Sequence, residues 1–260
     1  MAFFQMNYHS DVLGMGVSVN VILPESAKTM IGMRADGGQQ YKTLYLLHGL
    51  SDDHTIWMRR TSIERYAAEY GIAVVMPCVA RSWYTDTADG APYLTFVARE
   101  LPDACQGFFR GMSDKREDRL IAGLSMGGYG ALKAALTYPE RFGGCASLSG
   151  TLDIADASRR RPLNEWRGIF GFDLQSPADL KETEHDLFYL ASRCSALDQH
   201  VPNVYFWCGE SDHNFSHNER FHAHLDSLSV AHCYEHSEGD HSWKWWDLHI
   251  QNALCYLLAK

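Results

Sequence analysis

The stretch RLIAGLSMGGYGALKAAL, residues 119–136, passes from a short aliphatic run into helix-forming residues across GLSMG, a G-x-S-x-G string. The aliphatic run predicts a strand covered on both faces, and the Ala- and Leu-rich run that follows predicts a helix. Between them Ser125 stands at the apex of a tight strand-to-helix turn. Such a turn holds a nucleophile clear of the backbone, and it needs small flanking residues because it leaves no room for side chains. Gly128 reads as part of a helix start packed closely beneath that serine. The pentapeptide alone is weak evidence; the strand before it and the helix after it carry the reading.

Working outward, further runs predict strands at 16–23, 43–49, 72–77, 119–123, 143–150, 203–209 and 231–236. The first alternates apolar and polar residues, as a half-exposed antiparallel edge strand does, whereas the later ones are nearly continuously apolar. Helical spacing falls between them at 55–70, 93–110, 127–138, 216–228 and 243–259. Alternating strands and helices predict a mostly parallel central sheet with helices on both faces, and ligands bind such sheets beyond the carboxyl ends of the strands. Residues 151–194 break the alternation and read as an insertion near the active site. With no repeat and no Gly/Ser linker, residues 1–260 are expected to form a single domain.

Composition excludes several classes. A formal charge of −9 leaves no concentrated basic face for phosphates, so no nucleic-acid partner is expected; Arg159–Arg161 reads as a solvated loop. No apolar run approaches the ~18 residues of a membrane span, and MAFFQMNYHSDVLG lacks a signal-peptide pattern, so no membrane association and a cytoplasmic location are expected. The seven cysteines are scattered, without a C-x-x-C pair, which predicts reduced thiols and no zinc site.

A serine hydroxyl becomes a nucleophile through a histidine base oriented by a carboxylate, and in this architecture the order along the chain is Ser, Asp or Glu, then His. His241 lies in EGDHSWKWW, on the loop between the last strand and the last helix. His232 and His236 fall in or beside that strand and His249 in the helix, as structural residues. In NVYFWCGESDHNF the loop after the preceding strand offers Glu210 and Asp212. Asp212 is favoured because it has left the strand end; Asp240 is disfavoured because adjacent residues rarely pair a carboxylate with an imidazole. The loop LLHGL points to the backbone N–H of Leu50 as an oxyanion donor, with that of Met126 as the second. His48 reads as a buried imidazole that fixes this loop, and Asp52, Asp53 and His54 as the start and cap of the next helix. His222 and His224, two apart on a helix, face different sides and make no metal pair. Trp83, Tyr84, Trp166 and Trp243 are candidates for the substrate pocket.

Together LYLLHGLSDDHTIWMRRTSIERYA (44–67), VVMPCVARSWYTDT (74–87), IAGLSMGGYGALKAAL (121–136), WCGESD (207–212) and GDHSWKWW (239–246) resemble the esterase D family of α/β-hydrolases, most closely its tributyrin-esterase branch of small bacterial carboxylesterases. The resemblance runs from about residue 3 to residue 255. It implies hydrolysis of short-chain acyl esters from acetyl to butyryl, with nucleophile, acid and base on Ser125, Asp212 and His241 and oxyanion donors on Leu50 and Met126. It implies no metal or organic cofactor, a small-molecule ester as partner, and assembly as a homo-oligomer, a dimer or tetramer. The wider family also holds S-formylglutathione hydrolases, feruloyl and acetylxylan esterases and mycolyl transferases. Ser242 departs from the acidic residue that tributyrin esterases tend to carry after the histidine and matches the serine of the formylglutathione hydrolases. A thioesterase or an acyltransferase on the same fold therefore remains an alternative.

Overall fold

A computed structural model describes residues 1–25, 40–158, 162–171, 173–196 and 201–259; the Arg159–Arg161 cluster lies outside them. Eight strands form one sheet: β1 (Ala2–Ser10), β2 (Met15–Leu23), β3 (Thr43–Leu47), β4 (Ala73–Pro77), β5 (Arg119–Leu124), β6 (Gly144–Leu148), β7 (Asn203–Gly209) and β8 (His232–Ser237), in the order β1-β2-β4-β3-β5-β6-β7-β8. From β4 to β8 every pairing is parallel. The two antiparallel pairings are those that β2 makes with β1 and with β4. The mostly parallel sheet with helices on both faces, expected from the alternation, is therefore present.

Period-two alternation sorts each strand between two cores. Tyr45, Leu47 and Ile121 face a cluster built with α4 (Leu101–Phe108), α5 (Met126–Thr137), α8 (Leu187–Ala196) and α9 (Phe215–Ser227). Leu44, Leu46, Leu120 and Ala122 face the opposite cluster, covered by α1 (Ile56–Arg60), α2 (Ile63–Tyr70) and α10 (Trp243–Leu258).

Three expectations need correction. The edge strand is β1, which the sequence reading missed; β2 is paired on both sides and largely buried from Val17 onward. The helix expected over 55–70 breaks at Thr61, whose extended backbone (φ −136°, ψ 172°) ends α1. Its hydroxyl donates to the Trp57 carbonyl at 2.6 Å, closing the helix, while the Ser62 N–H is taken by Asp247 at 3.1 Å. The helix expected over 93–110 comprises α3 (Tyr93–Thr95), a wide π turn at Phe96–Glu100, and α4. Pro102 has no N–H to give the Ala98 carbonyl four residues back. Arg141 Nε donates to that carbonyl instead, at 3.3 Å.

The insertion contributes α6 (Ile154–Ser158), α7 (Leu163–Phe170), a 3-10 turn at Pro177–Leu180, and α8, which packs on α5. A buried polar contact joins insertion and helix. Lys133 of α5 is buried; its Nζ donates to the Thr85 hydroxyl and lies 3.0 Å from His185 Nδ1. The Tyr129 hydroxyl donates to the His185 carbonyl at 2.7 Å. Burial lowers the Lys133 pKa to about 7, outweighing the opposing pull of Glu184 and Asp86. An unfolded lysine titrates near ~10.4, so between pH 7 and that value the unfolded chain holds more protons than the folded one, and stability rises with pH. Urea unfolding at pH 7.0 and 9.5 is expected to show the wild type gaining stability relative to Lys133→Met as pH rises. Equal pH dependence in the two proteins would contradict a buried, uncharged Lys133.

Candidate active site

Ser125 sits between β5 and α5 with φ 53° and ψ −115°, a left-handed conformation that a serine adopts only under constraint. The constraint comes from close packing on both sides. A Cβ on Gly123 would stand 2.4 Å from the carbonyl carbon of Gly127, and one on Gly127 2.5 Å from the Leu47 oxygen. A Cβ on Gly128 would fall 2.4 Å from Ser147 Oγ, so α5 starts in contact with β6 as its glycine suggested. Backbone bonds hold the turn: Ser125 N–H donates to Leu148 O at 2.9 Å, and Ser125 O accepts from Tyr129 N–H at 3.1 Å.

The turn brings Ser125 to His241 and Asp212. His241 Nε2 lies 3.0 Å from Ser125 Oγ, and His241 Nδ1 lies 2.9 Å from Asp212 Oδ2. Asp212 Oδ1 also accepts the Asn214 N–H at 2.8 Å. Burial raises the carboxyl's pKa, but the hydrogen bond from His241, the Asn214 N–H and the Ser149 hydroxyl outweigh it, leaving Asp212 below its ordinary value and ionised. The imidazole therefore presents Nδ1–H to Asp212 and a lone pair at Nε2 to the serine. Trp246 meets the His241 ring edge to face at 4.9 Å and donates its own N–H to Ser149 Oγ at 2.9 Å. Asn214 Nδ2 donates to Ser149 O and Thr151 Oγ1, each at 3.0 Å, tying the acid loop to the end of β6.

The rival carboxylates point elsewhere: Glu210 lies 2.9 Å from His236 Nδ1, and Asp240 accepts from the Ser242 hydroxyl. His48 has the framework role expected of it. Its Nε2 accepts the Val79 N–H at 3.1 Å, so Nδ1 carries the proton and donates to Gly49 O at 2.7 Å. Burial lowers its pKa, in keeping with a neutral ring. Asp53 accepts the Thr55 N–H at 2.8 Å in the turn ahead of α1, but the N-cap of that helix is Thr55 and not an acidic residue of the loop. The Met126 N–H lies in the first turn of α5, where helix geometry provides no acceptor. Among the described residues the Leu50 N–H makes no hydrogen bond either.

Above these groups opens a cavity of about 780 Å³, lined by Ser125, His241, Leu50, Trp83, Trp243 and Arg81 among others. Of the four aromatic candidates, Trp83 and Trp243 border it. Tyr84 and Trp166 do not. Tyr84 is buried beneath α5, where a Cβ on Gly130 would meet its ring at 2.4 Å, and its hydroxyl donates to His48 O at 2.9 Å. Trp166 backs Trp83 at 5.3 Å and stacks on Phe170 at 4.8 Å. Sequence reasoning missed Arg81, His213, Thr151, His217 and Trp246 on the cavity wall. Only His213, next to Asp212, carried a local signal.

Residues 10–257 match the model of a family described as putative esterase. An acetyl esterase of Caldicellulosiruptor saccharolyticus is 30% identical over 97% of both chains. A fluorophosphonate-binding serine hydrolase F of Staphylococcus aureus, solved with substrate bound, superposes with a TM-score of 0.88 at 37% identity, covering 100% of this chain and 99% of that one. An S-formylglutathione hydrolase from the same organism gives a TM-score of 0.85 at 36% identity, covering 99% and 98%. With the family model spanning nearly the whole sheet and the cavity above it, the chain belongs to the esterase family and is a carboxylic ester hydrolase of the α/β-hydrolase fold.

Proposed function

We propose that this esterase hydrolyses short-chain acyl esters, acetyl to butyryl, through a Ser125–His241–Asp212 triad and an acyl-enzyme on Ser125. The observation that carries this reading is the continuous hydrogen-bonded chain from Asp212 through His241 to Ser125 Oγ at the floor of the cavity. His241 takes the serine proton as Oγ attacks the ester carbonyl. The N–H groups of Leu50 and Met126 stabilise the tetrahedral oxyanion, each donor of this kind contributing ~3–4 kcal/mol to the barrier reduction. The alcohol leaves with the proton from His241. Water activated by the same imidazole then releases the acid, while Asp212 holds the ring in the working tautomer.

The tributyrin-esterase branch is the proposed placement within the family, and Trp83 and Trp243 are the proposed apolar walls for the acyl group. The continuous sheet supports a single domain. Seven unpaired cysteines suit a reducing cytoplasm, and no helix among the described residues is long and apolar enough to cross a membrane.

One observation favours a second reading. Ser242 lines the cavity beside His241, and the Staphylococcus aureus S-formylglutathione hydrolase is among the similar structures, so a thioester is the rival substrate. Turnover of p-nitrophenyl acetate, butyrate and octanoate, tributyrin and S-formylglutathione decides between them. Acetyl to butyryl esters are expected to exceed S-formylglutathione in kcat/KM by at least about tenfold, a margin that acyl-pocket fit supplies. The reverse order would overturn the ester assignment, and preferential transfer to an added alcohol would identify an acyltransferase.

A further inference from the structure

His222 and His224 do not pair, but His222 meets two other groups. Asp226 lies one turn further along α9, with His222 Nε2 at 3.5 Å from Asp226 Oδ2. From the start of β8, His232 brings Nε2 to 2.7 Å from His222 Nδ1 and 3.9 Å from Asp226 Oδ1. The three side chains can each turn one ligand atom to a common point at the end of α9 remote from Asp212.

The His232 ring is fixed for this purpose. Its Nδ1–H donates to the Val230 carbonyl at 2.8 Å, which leaves the lone pair on Nε2, directed at His222. A backbone carbonyl that sets tautomer and ring direction in this way is the usual outer support of a metal-binding histidine. The ring is held further by stacking on Phe206 at 5.7 Å, and its side chain is only 5% exposed. The other two ligands can adjust, because His222 and Asp226 are 38% and 62% exposed.

We propose that His222, Asp226 and His232 form a binding site for a divalent transition metal, separate from the esterase centre. Two imidazoles and one carboxylate suit Zn²⁺, Co²⁺, Ni²⁺ or Cu²⁺ better than the oxygen-preferring Mg²⁺ or Ca²⁺. Without metal the two rings share a proton: His222 Nδ1–H donates to His232 Nε2. On binding, that proton moves through solvent to His222 Nε2, each ring gives a lone pair to the ion, and Asp226 supplies the anionic oxygen. Zn–N bonds of ~2.0–2.1 Å at tetrahedral angles require the two nitrogens to part to roughly 3.3 Å, a movement His222 can make. The remaining position faces solvent. Bound metal would tie the end of α9 to β8 across the short turn between them, so its effect is on stability and not on ester turnover.

The only other cluster of this composition among the described residues is Asp212, His213 and His241, in the active site, so the experiment must separate the two. Untagged, chelator-treated protein is titrated with Zn²⁺ by calorimetry at pH 7.5, and thermal unfolding and p-nitrophenyl butyrate hydrolysis are followed in parallel. One equivalent is expected to bind and raise the melting temperature while hydrolysis is unchanged. His222→Ala and His232→Ala are each expected to weaken binding by at least the ~10–100-fold typical of losing an outer-shell partner, and to abolish the thermal shift. His222→Ala guards against poor folding of the buried His232 variant. The proposal is overturned if the wild type binds no Zn²⁺, if both variants bind it as the wild type does, or if the first equivalent blocks hydrolysis and His213→Ala removes it.

Discussion

Ser125→Ala is expected to lower kcat for p-nitrophenyl butyrate by roughly a million-fold, the scale seen when a serine nucleophile is removed from a working triad. Folding should survive the change. The bonds that hold the turn come from the Ser125 backbone, to Leu148 O, Tyr129 N and Thr151 N, whereas among the described residues the hydroxyl meets only His241 Nε2. Alanine meets the same φ penalty as serine, so the strained turn is kept. Urea unfolding of the variant should lie within about 1 kcal/mol of wild type, because the change opens no core cavity and removes a single part-buried hydrogen bond at the cavity floor. Activity within a hundredfold of wild type in a folded variant would show that another group attacks the ester.

Asp212→Asn has the next largest expected effect, about 10⁴-fold in kcat with little change in KM. The cause is the proton's position, not lost contact. Asp212 accepts from His241 Nδ1 at 2.9 Å, whereas an asparagine amide can donate to Nδ1 and drive the proton to Nε2. Nε2–H would then face Ser125 Oγ, 3.0 Å away, and could take no proton from it. The Asn214 N–H can still be accepted by the amide oxygen, which preserves the loop. Steady-state kinetics beside a thermal melt measure both consequences. A loss of less than tenfold, or a loss confined to KM, would mean that the carboxylate does not orient the base.

What was legible in the sequence is what local chemistry decides. Gly123, Gly127 and Gly128 announce the turn because their neighbours leave no space for a Cβ, and Asp212 and His241 each follow a recognisable strand. Aromatic residues on loops were harder. Trp83 and Tyr84 are adjacent and both adopt positive φ, yet one borders the cavity and the other lies under α5 against Gly130. That choice rests on helix packing between distant segments, and neither residue type records it. The missed β1 exposes Phe3 and Phe4, so it lacks the buried face by which strands are read, and its pairing partner is fixed by the turn through Gly14 at φ 64°. The break in the Ile56–Tyr70 region likewise depends on Asp247, far along the chain, accepting the Ser62 N–H. Helical spacing places Asp226 one turn from His222, but the contact of His222 with His232 joins a helix to a strand and could not be read from spacing alone.

In the proposed mechanism Ser125 carries the acyl group. Reaction with a fluorophosphonate probe followed by peptide mass spectrometry tests it most directly, because trypsin releases Ser125 within residues 120–133, between Arg119 and Lys133. One covalent adduct per chain is expected on Ser125, accompanied by loss of hydrolysis and absent from Ser125→Ala. An adduct on another residue, or an active enzyme that takes up no probe, would contradict the account.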